Sequence, residues 1–527
     1  MARSAALVLG SVMLLAGQDA AAQYPSSRWR PDERVVVGDY GVVLALAAGR
    51  DLLYAFTEDG IGVYDARLRR WELPLPLPPG FMPPPGSPAI VDPMDRSAWL
   101  GTLSGLLHYD PRLDLVETVS IPGGVSDIMF DRDDTFIGLY VRTRFGWQLV
   151  QRGSGIVTDA PGLPPPERQI RATTVESVMR RDPGLAARSP LALTDDRMRD
   201  YRYTAAAQLE YTEDLFLGTD GLGVLHVDPV TRQFERLPFG LLDRAAAAIA
   251  IVDEQVVVGT SGRGRRVGFT FMSGDLQRFA YEEGPPATGF RFRRILDVAD
   301  DGAALLAATD RGVWRVGEDG RAVRLAPELI GEAIGAYAVA RTDAGVWTGT
   351  ERGLLFVDDA GDGMMIDARV REPVYALLVL ADTVWLGGVR GLAFVAPGSD
   401  SMLAPATLAE DPWMRDPVVA LAHGGGVLVA ATTDRIAWRH AADGWRVERS
   451  LAGEVGRIVA LAGDEAGVWI LGSVGAVHFV PGRATFPQAV RRDDLPGEPW
   501  DVAADERYLW IATDRGVVRF EQRVLQR

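Results

Sequence analysis

One short pattern recurs along this chain at a nearly fixed interval, and it constrains the fold more than any other feature. Its clearest copies are Ala98-Trp-Leu-Gly-Thr-Leu-Ser-Gly-Leu-Leu107, Val346-Trp-Thr-Gly-Thr-Glu-Arg-Gly-Leu-Leu355, Val384-Trp-Leu-Gly-Gly-Val-Arg-Gly-Leu392 and Leu509-Trp-Ile-Ala-Thr-Asp-Arg-Gly-Val-Val518. Looser copies centre on Tyr54, Phe216, Val257, Leu306, Ala430 and Trp469, with a weak one at Phe136. Leu306 to Trp347 is 41 residues, Trp347 to Trp385 is 38, and Trp469 to Trp510 is 41. Short apolar runs at a period near 40 predict one four-stranded sheet per period, the arrangement of a β-propeller. Within a period, Val374–Leu380 is the inner strand. The turn Asp382-Thr383 leads to the Trp strand, a Gly-bearing turn to a third strand at 392–395, and a weaker fourth strand closes the sheet. Helical periodicity is largely missing, which speaks against a helical solenoid.

Eleven centres are many for one ring, so the expectation is all-β with about eleven four-stranded blades in two rings. The last seven centres give a C-terminal seven-bladed propeller over 243–527, and the first four an N-terminal set over 23–242. The interval from Phe136 to Phe216 spans 80 residues, about two periods. Its surplus, near 161–200, is read as an inserted loop with a short helix at 168–181 rather than a degenerate blade. The chain runs short at the last blade. Its outer strand is either the segment 523–526 or Arg34–Val37 donated from the other end of the chain, which would hide a sheet edge.

The run from Trp99 to Pro111, Trp-Leu-Gly-Thr-x-x-Gly-Leu-x-x-Tyr-Asp-Pro, resembles the two-component-regulator propeller repeat. So does Phe216-Leu-Gly-Thr-Asp-Gly-Leu-Gly-Val-Leu-His-Val-Asp-Pro229. In that family the repeats often form the extracytoplasmic sensor of hybrid histidine kinases. No kinase segment or membrane span follows the repeats here, so the resemblance implies a stand-alone exported propeller. Fold of this kind does not by itself imply function.

Export is expected from residues 1–22. Arg3 supplies a positive start, residues 5–16 a short apolar stretch, and Ala20-Ala21-Ala22 a small-residue cleavage site. The mature protein is accordingly expected to be periplasmic or secreted, without a membrane span. The net charge is -16 and no Lys or Asn occurs, so all 55 basic residues are Arg. Such a chain lacks the footprint of a nucleic-acid binder. Without Lys there is no Schiff base or P-loop lysine. Without Cys there is no disulfide, thiol nucleophile or thiolate metal site.

Catalytic motifs are sparse, and neither a cofactor nor a metal is expected. Three of the five histidines, His108, His226 and His478, stand three residues after a turn glycine, which reads as a structural slot on the third strand. The stretch Asp358-Asp-Ala-Gly-Asp-Gly363 lacks the spacing and closing Glu of a calcium loop. The one patterned polar feature is arginine in the turn after the Trp strand: Arg263, Arg311, Arg352, Arg390, Arg435 and Arg515. A planar guanidinium fork suits carboxylate, sulfate or phosphate. Solvated, duplicated turn residues are the plain alternative. The functional expectation is a non-catalytic exported module that binds an anionic ligand or an acidic protein surface. The competing expectation is a propeller-scaffold lyase or hydrolase acting on an acidic polysaccharide.

Overall fold

In a computed structural model, residues 29–525 are described apart from short internal stretches, the longest being 407–412 and 133–137. The export segment 1–22 and the weak repeat centre at Phe136 lie outside the described residues. The fold is all-β, built of antiparallel sheets that are mostly four-stranded. Taken in chain order, sheets one to four cover 43–71, 89–120, 127–171 and 192–237. Sheets five to ten cover 246–282, 295–324, 336–366, 374–395, 420–448 and 458–491, and an eleventh covers 499–521.

All ten repeat centres that are described fall on the second of the three principal strands of a sheet, as in Gly345–Thr350 and Tyr508–Thr513. These strands are buried along nearly their whole length because a sheet packs on each face, so their sequence is continuously apolar rather than alternating. The turn beyond them recurs with the same bonds in several sheets. Thr350 Oγ1 donates to the Gly353 carbonyl at 2.8 Å and accepts the Arg352 amide at 3.1 Å. Thr309 and Thr513 repeat both bonds around Gly312 and Gly516. Gly312 and Gly516 have φ of 88° and 125°, which an L-residue side chain disfavours. The first turn of the eighth sheet falls one residue earlier than the sequence suggests. Ala381 and Asp382 form it, and Thr383 opens the second strand.

The histidine slot is structural. His108, His226 and His478 sit directly across from Trp99, Phe216 and Trp469. The ring centroids are 4.0, 5.3 and 4.4 Å apart. In the calcium-like stretch, Asp358 caps its own turn by accepting the Asp362 amide.

Hydrophobic cores lie between successive sheets, as between sheets nine and ten and between ten and eleven. From Ala246–Val252 onward, each inner strand packs beside the next. The last, Pro499–Ala504, packs back against the first. Sheet eleven takes its outer strand from Arg34–Val37, which pairs with Gly516–Glu521 in the register Val36↔Val518. The segment near 523 is instead a short helix, Gln522–Leu525.

The first four sheets are less regular. Val43–Ala48 packs beside both Ala89–Val91 and Asp200–Gln208. The surplus segment is not a free loop. Gln169–Arg171 adds to the inner edge of sheet three, and Ala192–Thr194 adds to the inner edge of sheet four. Its helix α1 covers Val175–Arg181, starting later than the expected 168 because 169–171 is taken up as a strand. α1 packs on Asp200–Gln208. A large core joins sheets one, four, five and eleven, so both halves of the chain share one apolar junction.

Candidate functional site

Four of the six singled-out arginines occupy one equivalent place. Arg311, Arg352, Arg390 and Arg515 each stand second in a two-residue turn between the second and third strands. Their neighbours Asp310 and Asp514 pin the incoming connection. Asp310 accepts the Arg293 and Arg294 amides, and Asp514 accepts that of Glu498. The four turns therefore share one face with the connections entering each sheet.

The other two are placed differently. The register puts Arg435 opposite Thr432, in the slot that glycine holds elsewhere, with Asp434 in the arginine slot. Arg263 lies in a longer turn that ends at Gly268, whose amide bonds Thr260 Oγ1. It stacks on Trp500, its guanidinium carbon 4.9 Å from the ring centroid.

Their partners divide them again. Arg390 grips Glu372 of its own sheet's entry connection with two bonds, at 2.6 and 3.0 Å. This pair lifts the arginine's pKa and lowers the glutamate's. Arg435 holds Asp416 of its own entry connection through one bond and approaches Asp434 at 3.5 Å. These two are local turn chemistry. Among the described residues, Arg311, Arg352 and Arg515 have no ion-pair partner, and all three are exposed.

The same face carries residues that repeat-spotting overlooked. In six of the last seven sheets the inner strand has a β-bulge next to this face, leaving one residue unpaired. The unpaired residues are Ala247, Leu296, Tyr337, Tyr375, Val459 and Trp500. Tyr337 and Tyr375 meet edge to face at 5.4 Å. Burial lifts the Tyr337 hydroxyl's pKa, with Glu351 and Tyr375 adding to the effect. The bulge is signalled only by where the inner-strand pairing slips, which no single-residue pattern reveals.

One residue deeper lie Asp297 and Asp501, partly solvent-accessible yet enclosed by protein. Asp297 accepts the Val298 amide and, from the next sheet, that of Val339, both at 2.8 Å. Asp501 accepts the Val502 amide at 2.9 Å and that of Ile249 at 2.8 Å. Burial pushes Asp297 up to about 6 and Asp501 to about 7, the latter with a contribution from the Asp297 charge. One oxygen of each carboxylate accepts the next amide of its own strand, and the other clips that strand to the neighbouring sheet. Among the described residues, no three metal-ligating side chains gather into one group.

No family model matches the chain, and no curated protein does. Among solved structures, it is similar to the extracellular domain of a putative hybrid two-component system from B. thetaiotaomicron. That match has 13% identity and a TM-score of 0.43, covering 91% of this chain and 81% of the other. The extracellular domain of a putative one-component system from the same bacterium gives 12% and 0.42, over 93% and 73%. A virginiamycin B lyase from Staphylococcus aureus, solved with quinupristin, gives 11% and 0.43, over 52% and 94%. Likenesses at this level carry neither family nor function across. No described helix is long and apolar enough to cross a membrane.

Proposed function

We propose that the chain is an exported, non-catalytic binding module. Sheets five to eleven form a seven-bladed ring, and the first four sheets form a smaller second unit. The ligand seat is the face where Arg311, Arg352 and Arg515 surround the bulge residues Tyr337, Tyr375 and Trp500, with Arg263 held over Trp500. The observation that carries this reading is that the turn arginines without an ion-pair partner among the described residues and the bulge aromatics stand at the same ends of their sheets in an acidic protein, with Arg263 over Trp500 as a contact between the two sets. Rings offer flat apolar contact, and guanidinium forks supply bonds to carboxylate or sulfate. Arg390 and Arg435 are left out because carboxylates of their own sheet already hold them. The ligand class is an extended acidic chain, a glycan or the acidic surface of a protein.

The test is titration of the full chain with polygalacturonate oligomers and, separately, an acidic peptide. Arg352→Ser with Arg515→Ser should weaken binding about tenfold or more and flatten its salt dependence. Unchanged binding in that double variant would remove these arginines from the site.

A second reading is a lyase or hydrolase acting on an acidic polysaccharide. It rests on Asp297 and Asp501, two carboxylates with raised pKa near one face. Turnover of polygalacturonate that vanishes in Asp501→Asn, with binding kept, would establish it in place of the first.

A further inference from the structure

The place where the repeat period breaks holds a cavity independent of the arginine face. It measures about 890 Å³ and lies among the inner strands of the first four sheets, walled on one side by residues 171–181. Its size falls in the range of small-molecule sites and is too small for a folded partner. Four guanidinium groups line it, those of Arg142, Arg171, Arg180 and Arg181, against two carboxylates, Asp127 and Glu176. On a chain of net charge -16 this is a local positive pocket.

The arginines are not all neutralised by their surroundings. Arg171 is fixed by Asp127 at 2.5 Å, by Gln169 Oε1 at 2.9 Å and by stacking on Trp147. Arg180 only approaches Glu176, at 3.8 Å. Arg142, on the second strand of sheet three, has no ion-pair partner among the described residues. Its neighbour Arg171 is thus a pre-oriented cation, and Arg142 an uncommitted one.

The hydroxyls add a second constraint. Ser87 Oγ donates to the Pro84 carbonyl at 2.7 Å, Ser126 Oγ to that of Arg142 at 3.1 Å, and Thr204 Oγ1 to that of Val43 at 2.6 Å. A carbonyl only accepts, so the hydroxyl protons are spent and the oxygen lone pairs remain as acceptors. The wall therefore offers acceptors for ligand O–H groups alongside N–H forks for anionic oxygens. A bare anion uses only the second set, and a neutral sugar can use both but leaves the charge of the forks unmatched.

We propose that this cavity binds a small polyhydroxylated anion, a sugar carrying a carboxylate, sulfate or phosphate, and that Arg142 is its principal charge contact. A long polyanion is disfavoured here because a cavity of about 890 Å³ takes in only a small ligand.

The experiment is calorimetric titration of the full chain with galacturonate, glucose 6-sulfate and glucose 6-phosphate, with galactose and inorganic sulfate as controls. At least one acidic sugar should bind, and which of the three does so identifies the anionic group. Arg142→Ser should weaken that binding about tenfold or more, and Arg142→Lys by less, since it keeps charge and loses the fork. Arg142 is exposed and has no ion-pair partner among the described residues, so both variants should melt as the parent does. Arg352→Ser should leave this binding unaltered, which separates it from the arginine face. The proposal falls if none of the three acidic sugars binds at millimolar concentration. It falls equally if galactose or sulfate binds as well as they do, or if Arg142→Ser binds normally.

Discussion

The last seven sheets and the first four are built from the same repeat, yet they solve closure differently. In the last seven, each inner strand packs on the next and the series returns to its start. The remaining sheet edge is covered by Arg34–Val37, a strand from the far end of the chain. In the first four, extra strands at 169–171 and 192–194 and the helix α1 occupy the space beside the inner strands. The interrupted part holds the cavity of about 890 Å³, and the regular part a smaller one of about 630 Å³ beside Phe290, Arg311 and Trp314.

The comparison breaks first at the donated strand. Val35 and Val37 are almost fully buried. Deleting 34–37 should cost several kcal/mol and expose a sheet edge, giving aggregation on heating. Deleting 166–194 should leave the core of sheets five to eleven folded, although the cavity is lost. Paired thermal melts with light scattering compare the two. Equal loss from both deletions would mean that the strand plays no special part.

Next in size are the central Trp residues. Trp469 and Trp510 are fully buried. Replacing either by Ala should cost about 3–5 kcal/mol in chemical unfolding, through lost burial and the cavity left behind.

A smaller, pH-dependent effect belongs to Asp501. Its folded pKa of about 7 lies above the usual carboxylate value. Between about pH 4 and 7 the folded chain keeps a proton that the unfolded chain releases. Asp501 thus lowers stability as pH rises through that window and has no further effect above it. Glu283 acts in the opposite direction, pulled down to about 2 by Arg266 and Arg199 against the upward effect of its burial. Its share of stability is lost as pH falls from about 4 toward 2. Unfolding of Asp501→Asn at pH 4.5 and 7.5 isolates the Asp501 effect. The parent should lose ground to the variant at the higher pH, and a constant gap would mean an ordinary carboxylate.

The smallest effect is expected at Arg352. It is exposed and has no ion-pair partner among the described residues, so Arg352→Ser should change stability by no more than about 0.5 kcal/mol while altering ligand binding.

Much of this scaffold was legible in the residues. Trp347 and Trp385 mark second strands because a strand packed on both faces reads as a continuous apolar run, and their large rings make two of those runs conspicuous. Thr350 and Gly353 mark the turn because their bond and backbone angle require those types. The six arginines were legible as a pattern but not as a set. Arg435 falls one place along because the pairing of Ala431 with Ile436 sets the register. Arg390 is neutralised by Glu372, 18 residues away. Tyr337, Tyr375 and Trp500 escaped notice because a bulge is a property of pairing. The cavity around Arg142 and Arg180 escaped because its walls come from segments far apart in the chain.

Closure by the donated strand can be tested most directly with a cross-link, since the chain has no cysteine of its own. Val36 and Val518 are paired across the two terminal strands. Oxidised Val36→Cys/Val518→Cys protein should run faster than its reduced form on a denaturing gel, because the bond closes almost the whole chain into a loop. Its melting temperature should also rise. Unchanged mobility under oxidising conditions, with both thiols still free, would contradict the closed arrangement.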